Sequence, residues 1–213
     1  MTTNKQDYIP ALSFRFLTRY FDIVQSWLVR DVVYKKMLIE QAQIQPGHRV
    51  MDLGCGTGTL AIMAKQAQPL AHVCGLDADP EMLAMAHKKV ATLGVDVTFD
   101  EGMTFALPYP DESLDRVLSS IMIHHLKTPD KHRTAKEIYR VLKPGGQLHI
   151  IDFGKPSTLY AKMLGPFLHE FEEANDNIDG LLPEIFGAPG LTMREMGDFQ
   201  TFFGTLTFLY GQK

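Results

Sequence analysis

Val50-Met51-Asp52-Leu53-Gly54-Cys55-Gly56-Thr57-Gly58-Thr59 is the stretch that decides the fold. A short apolar run breaks into three alternating glycines. Leu60, Met63, Ala64 and Ala67 then recur at helical spacing. The reading is a strand, a tight turn and the start of a helix. Glycine supplies positive φ there and lets a ligand approach the backbone closely. The helix start presents unpaired N–H groups and the positive end of its dipole, which favour an anionic group. The turn therefore reads as a nucleotide-type cofactor site.

Working outward, the pattern alternates. Residues 49–53 form strand one, and Pro69 ends the helix after the glycines. Residues 72–76 are a continuous apolar run, typical of a strand covered on both faces. They lead into Asp77-Ala78-Asp79-Pro80-Glu81, where Asp79 suits an N-cap and Pro80 a first helical residue. Met82, Leu83, Ala86 and Val90 face inward on that helix, which stops at Gly94. Strand three is expected over 95–99 and strand four over 114–118. A transition of loop or short helix is expected over 119–126. An amphipathic helix carries Ala135, Ile138, Tyr139 and Leu142 and is stopped by Lys143-Pro144-Gly145-Gly146, and strand five spans 147–153. Strands alternating with helices mean βαβ units and a mostly parallel, doubly wound α/β sheet. Ligands then bind beyond the carboxyl ends of the strands, where strand order reverses.

The ends behave differently. Phe14, Leu17, Phe21, Val24 and Leu28 predict one helix face, and Val29, Val33 and Met37 extend a second helical pattern that ends before Gln45. After residue 153 a helical segment precedes two β-rich stretches around Phe199 and Phe208, which suit an antiparallel pair at the sheet edge. The expected organisation is one domain over 1–213. It comprises a helical cap over 1–45, a cofactor-binding core over 46–153, a lid or insertion over 154–190 and C-terminal strands over 191–213.

Bulk properties narrow the function. The 213 residues, 45% hydrophobic and 22% charged, suit one globular domain. A net charge of -4 argues against a nucleic-acid partner held by bulk charge. Two cysteines, Cys55 and Cys74, form no disulfide framework, so a reducing, cytoplasmic setting is expected. No apolar run approaches the roughly 20 residues that span a bilayer. Asp77 follows the last glycine by about 20 residues, where an acidic residue suits ribose hydroxyls. Thr59 stands where the dinucleotide fingerprint has its third glycine, and no Gly-Lys-Ser/Thr follows, so neither that fingerprint nor a P-loop fits.

Asp52-Leu53-Gly54-Cys55-Gly56-Thr57-Gly58 resembles the first motif of the class I S-adenosylmethionine-dependent methyltransferases. Gly75-Leu76-Asp77, Leu107-Pro108-Tyr109 with Leu114-Asp115, and Arg140-Val141-Leu142-Lys143-Pro144-Gly145-Gly146 resemble later motifs in the right order. The resemblance covers about 45–156 and is closest to the small-molecule branch that includes quinone-biosynthesis and lipid methyltransferases. It implies a Rossmann-like, mostly parallel seven-stranded sheet with an antiparallel C-terminal strand pair. It implies that Asp52 and the backbone of Gly54, Cys55, Gly56 and Gly58 hold the methionine part of S-adenosyl-L-methionine. Asp77 would hold the ribose. Ala78 and Met82 would line the adenine, with Gly102, Met103, Thr104 and Ser119 completing the cofactor set. Relatives often place an acidic residue at the position of Met103, so adenine recognition here falls to the backbone of Met103 and Thr104, or to Asp100 or Glu101.

Methyl transfer from a sulfonium is an in-line displacement in which alignment does much of the work. A base is needed only if the acceptor must lose a proton. His124 and His125 lie where an acceptor is expected, and an imidazole can take a proton near neutrality. The plainer reading makes one structural and the other solvated. No metal is expected, since adjacent helical histidines diverge and no third ligand is evident. Residues 175–180 begin like a calcium loop, but its twelfth position is Phe186, so a polar turn is expected instead. The expected function is methyl transfer to a small or amphiphilic molecule. The alternative is a cofactor-binding regulatory module without turnover.

Overall fold

In the computed structural model, residues 31–156, 174–201 and 204–213 are described. The elements run α1 (Asp31–Ala42), β1 (Arg49–Leu53), α2 (Thr59–Ala67), β2 (His72–Asp77), α3 (Pro80–Leu93), β3 (Thr98–Glu101) and β4 (Leu114–Ser120). A 3₁₀ turn (Ile123–His125), α4 (Thr128–Val141), β5 (Leu142–Phe153), α5 (Asn175–Ile178), α6 (Leu182–Gly187), β6 (Thr192–Thr201) and β7 (Gly204–Gln212) complete it. The seven strands lie in the order β3-β2-β1-β4-β5-β7-β6. The first five pair in parallel, and β7 pairs antiparallel with both β5 and β6. Strand order reverses between β1 and β4, so the switch point lies at the end of the glycine motif.

The sheet is covered on both sides. One core cluster joins Tyr34, Leu38, Leu60, Ala64, Leu83 and Ala86 to Val50, Val73, Ile151 and Phe208. The other joins Ala135, Ile138, Ile185 and Phe186 to Met51, Leu76, Val117, Ile150 and Leu209. This two-sided burial is why β1 and β2 read as unbroken apolar runs rather than alternating ones.

Three local expectations need correction. The inward face of α1 is Tyr34, Lys35, Leu38, Ile39 and Ala42, whereas Val33 and Met37 are 49% and 40% exposed. A stripe shifted by one residue won, because Asp31 and Lys35 bury as a pair, and two polar residues masked the true face. Strand three lies at Thr98–Glu101 rather than 95–99. Lys143-Pro144-Gly145-Gly146 does not merely stop a helix. It sits inside β5 where the pairing with β4 shifts register between Leu114 and Arg116. The N-terminal stripe over 14–28 lies outside the described residues, as does 157–173 of the expected lid. The described remainder of that lid packs inward through Leu182, Ile185 and Phe186. Among the described residues, no helix is long and apolar enough to cross a membrane.

Candidate active site

The glycine turn is tied to β2, since the N–H groups of Gly54 and Cys55 donate to the carbonyl of Leu76 at 2.8 and 3.0 Å. A Cβ on Gly54 would lie 2.1 Å from Met122 Cγ, so this position must be glycine for space as well as for its φ of +68°. Gly56 has φ +51° and nothing within 4 Å of an added Cβ. The turn is thus packed on one side and open at Gly56, where a ligand can reach the backbone.

Asp52 bends back to accept from the Ala61 N–H at 3.0 Å in the first turn of α2. Burial pushes its carboxyl up to about 7, and the nearby Lys35 ammonium and the Ala61 bond pull the other way. Lys35 is itself clamped by Asp31 at 2.8 and 2.9 Å, and the Tyr34 hydroxyl donates to Asp31 at 2.6 Å. The Lys35 ammonium beside Asp52 is already matched by Asp31, so Asp52 is the surplus charge. Asp31 and Lys35 were missed because the inward face of α1 was misread.

Asp77 Oδ2 accepts from the Gly56 N–H at 2.7 Å and Oδ1 from the Asp79 N–H at 2.9 Å. Burial raises its pKa, and these backbone bonds oppose the rise. A carboxylate has about four acceptor sites, and the Ala78 N–H also bonds to it, so acceptor capacity remains for about one hydroxyl donor. Asp79 Oδ1 accepts from the Glu81 N–H at 2.8 Å and caps α3, with Pro80 next. Asp79 therefore caps α3, while Asp77 ties the glycine turn to the start of that helix. Lys89 of α3 donates to Thr57 and Thr59 at 2.8 and 3.1 Å, fastening α3 to the glycine turn.

Around the expected adenine position, Met82 is buried and Ala78 half-buried. The Gly102 N–H donates to the Asp77 carbonyl at 2.9 Å. Thr104 Oγ1 is engaged with Thr134 of α4 at 2.8 Å, and Asp100 accepts from the Tyr109 hydroxyl at 2.8 Å. Ser119 is fully buried with its hydroxyl on the Leu53 carbonyl at 3.3 Å. Its neighbour Ser120, at the carboxyl end of β4, has a buried hydroxyl with no partner. A strand alternates faces, so the two adjacent serines point to opposite sides of the sheet.

Past β4 the chain turns sharply. Ile121 has φ +49°, a backbone that a β-branched residue adopts only under strain. The following 3₁₀ turn carries both histidines. Asp152 of β5 holds it: Oδ2 accepts from the N–H groups of Met122 and Ile123 at 3.0 and 2.7 Å. Oδ1 lies 2.8 Å from His124 Nδ1 and accepts from the Phe153 N–H at 2.8 Å. Burial alone would raise the Asp152 pKa, but His124 and the backbone donors outweigh it and hold the carboxyl below its usual range. An ionised Asp152 favours the proton of a neutral His124 ring on Nδ1. The His124 ring sits edge-on to Phe153 at 4.8 Å and against His125 at 4.0 Å. Sequence reading found the histidines and missed Asp152, whose position inside an apolar strand carried no signal. Among the described residues, no group of three His, Cys, Asp or Glu is placed to hold a metal ion.

The parallel sheet, the open glycine turn and the strand-two carboxylate define a nucleoside-cofactor protein of the Rossmann-like class. The comparisons sharpen this. A family profile described as a methyltransferase domain matches residues 50–146. A demethylmenaquinone methyltransferase of Thermus thermophilus is 33% identical over 191 residues, covering 84% of this chain and 86% of that one. One of Listeria monocytogenes is 37% identical over 161 residues, covering 74% and 67%. In fold, the chain is similar to an S-adenosylmethionine-dependent methyltransferase from Aquifex aeolicus, with a TM-score of 0.68 at 22% identity over 92% of this chain and 96% of that one. The chain belongs to the class I S-adenosylmethionine-dependent methyltransferases. It uses S-adenosylmethionine to methylate a small molecule. The donor set fits that cofactor: an open glycine turn, spare acceptor capacity on Asp77 and the orphaned hydroxyl of Ser120.

Proposed function

We propose that the acceptor is a hydroxylated aromatic ring of the hydroquinone kind, methylated on a ring carbon, with His124 as the base. The observation that carries this is the buried His124–Asp152 pair at the carboxyl ends of β4 and β5. The relatives named as demethylmenaquinone methyltransferases support a quinone-type ring. A quinone is electron-poor and resists an electrophile. Its reduced form has an electron-rich carbon beside a hydroxyl.

In this reading Asp52 and the backbone of residues 54–58 hold the methionine part, and Asp77 the ribose. Ala78, Met82 and the 102–104 backbone take the adenine, and Ser120 adds a hydroxyl at the end of β4. When bound, the cofactor supplies a sulfonium methyl to the acceptor carbon by in-line displacement. His124 Nε2 takes the hydroxyl proton, which raises electron density on the adjacent carbon; after methylation that carbon sheds its own hydrogen as a proton, the oxygen is reprotonated, and S-adenosylhomocysteine departs as the neutral thioether. Asp152 holds the imidazole in the productive tautomer and stabilises it once protonated. His125, tilted at 39° against the His124 ring at 4.0 Å, braces it. The same chain leaves cofactor recognition to β1 and β2 and acceptor activation to β4 and β5.

The test is substitution at the pair. His124→Ala should lower kcat by about 10²–10⁴-fold, with affinity for S-adenosylhomocysteine retained. Asp152→Asn should act in the same direction and shift the pH profile of kcat/KM. Full activity of His124→Ala across the pH range would remove the base from the mechanism.

A further inference from the structure

Beside Phe153, against whose ring His124 packs, lies a cavity of about 100 Å³. It is bounded by Phe153 and Lys155 at the end of β5, Asp198 of β6, Thr207 of β7 and Asn177 of α5. Thr207 stands opposite Asp152 in the β5–β7 register, so the two side chains share a face of the sheet. The cavity floor is therefore one strand over from the residue that holds His124. From above, α5 packs against both β5 and the 3₁₀ turn that carries His124.

Asn177 is 1% exposed, and neither its amide oxygen nor its amide nitrogen has a hydrogen-bond partner. A buried, unsatisfied amide costs folding free energy and calls for an explanation. Its position is not accidental. The preceding Asp176 accepts from Thr128 at 2.7 Å and from the fully buried Lys131 at 3.0 Å, which pins α5 to α4. Gly180, with φ +70°, closes the turn against the Lys155 stem, which an added Cβ would strike. The stretch 175–180 is thus neither a calcium loop nor a solvated polar turn. It is a short helical turn anchored by one side chain so that the next one faces the cavity.

The chemistry of the cavity selects the group it takes. An amide offers donors and acceptors together and matches a neutral hydroxyl. Glu195 and Asp198, the latter accepting from Thr207 at 2.8 Å, outnumber the Lys155 ammonium among the lining residues and disfavour an anion. Phe153 contributes an apolar wall suited to a ring edge. We infer that Asn177 hydrogen-bonds a second, neutral hydroxyl of the acceptor, so that the enzyme selects rings bearing two hydroxyls over rings bearing one. This rests on the hydroxylated-ring acceptor proposed above and adds the residue that reads the second oxygen.

The experiment compares two probes held reduced under anaerobic conditions, 2-prenyl-1,4-naphthalenediol and 3-prenyl-1-naphthol. The second keeps the hydroxyl beside the open carbon and lacks the other. Values of kcat/KM are measured for the unsubstituted enzyme, Asn177→Leu and Asn177→Ala, with S-adenosylhomocysteine titration as the check of folding. The ratio of the two probes within each enzyme cancels their intrinsic reactivity. We expect the preference for the diol to fall about tenfold or more in both variants, chiefly through the KM of the diol. A preference unchanged in a variant that still binds S-adenosylhomocysteine overturns the inference and leaves Asn177 with ordered water only. If the unsubstituted enzyme methylates neither probe, the acceptor reading itself fails, and the role of Asn177 falls with it.

Discussion

Asp77 and Asp79 sit two residues apart and do different work. Asp77→Ala removes the spare acceptor capacity proposed for the ribose and also releases the Gly56 N–H. It should weaken S-adenosylhomocysteine binding by about 1.5–3 kcal/mol, the value of a charged hydrogen bond, or roughly ten- to a hundredfold. Asp79→Ala should instead cost about 1 kcal/mol of stability through the lost cap and leave affinity near its original value. Calorimetric titration of both variants separates the roles, and equal affinities would put Asp77 outside the cofactor site. Asp52 makes a pH prediction. Its folded pKa, pushed up to about 7, lies above that of an unfolded aspartate near 3.9. The folded state therefore binds the extra proton between those values, and this contribution to stability is lost as pH rises through about 7. Asp52→Asn should raise Tm relative to the original chain at about pH 8, and the gain should fade towards about pH 4. A gain that does not change with pH would contradict the assignment. The Asp79 cap was legible because a strand end, an N-cap and Pro80 follow in order. Asp152 was not, because its partner His124 is 28 positions away and only the β4–β5 pairing brings them together.

At the scale of elements, α1 is the instructive case. Two stripes compete over the described residues of this helix, Val33-Met37 and Tyr34-Leu38-Ala42, and both have helical spacing. The second won because Asp31 and Lys35 neutralise each other and bury alongside it beneath the glycine turn. Periodicity reads hydrophobicity and is blind to a buried ion pair. Leu38→Ala, at a fully buried position, should cost about 2–5 kcal/mol, while Val33→Ser should stay within about 0.5 kcal/mol. Denaturant titration measures both, and a large cost at Val33 would reverse the assigned face. The α3 helix was legible to its ends, since Asp79, Pro80 and Gly94 are cap signals with a local mechanism. The β5 bulge was not, because Lys143-Pro144-Gly145-Gly146 looks like any turn until β4 is beside it.

For the molecule as a whole, alternating strands and helices were enough for the parallel sheet, and the two β-rich stretches near the C-terminus were enough for the antiparallel pair. The resemblance of the glycine motif and its successors carried the cofactor. The proposed acceptor side was much less legible, because the residues assigned to it come from the end of β4, the end of β5 and α5, which lie far apart in the chain. The most direct measurement is product analysis after incubating the enzyme with methyl-labelled S-adenosylmethionine and anaerobically reduced 2-prenyl-1,4-naphthalenediol. The label should appear on the ring carbon, in amounts that fall steeply in His124→Ala, and the oxidised quinone should take up none. Tight binding of S-adenosylhomocysteine with no label transferred to the reduced ring, or equal labelling of the oxidised one, would contradict methyl transfer to a hydroquinone-type acceptor.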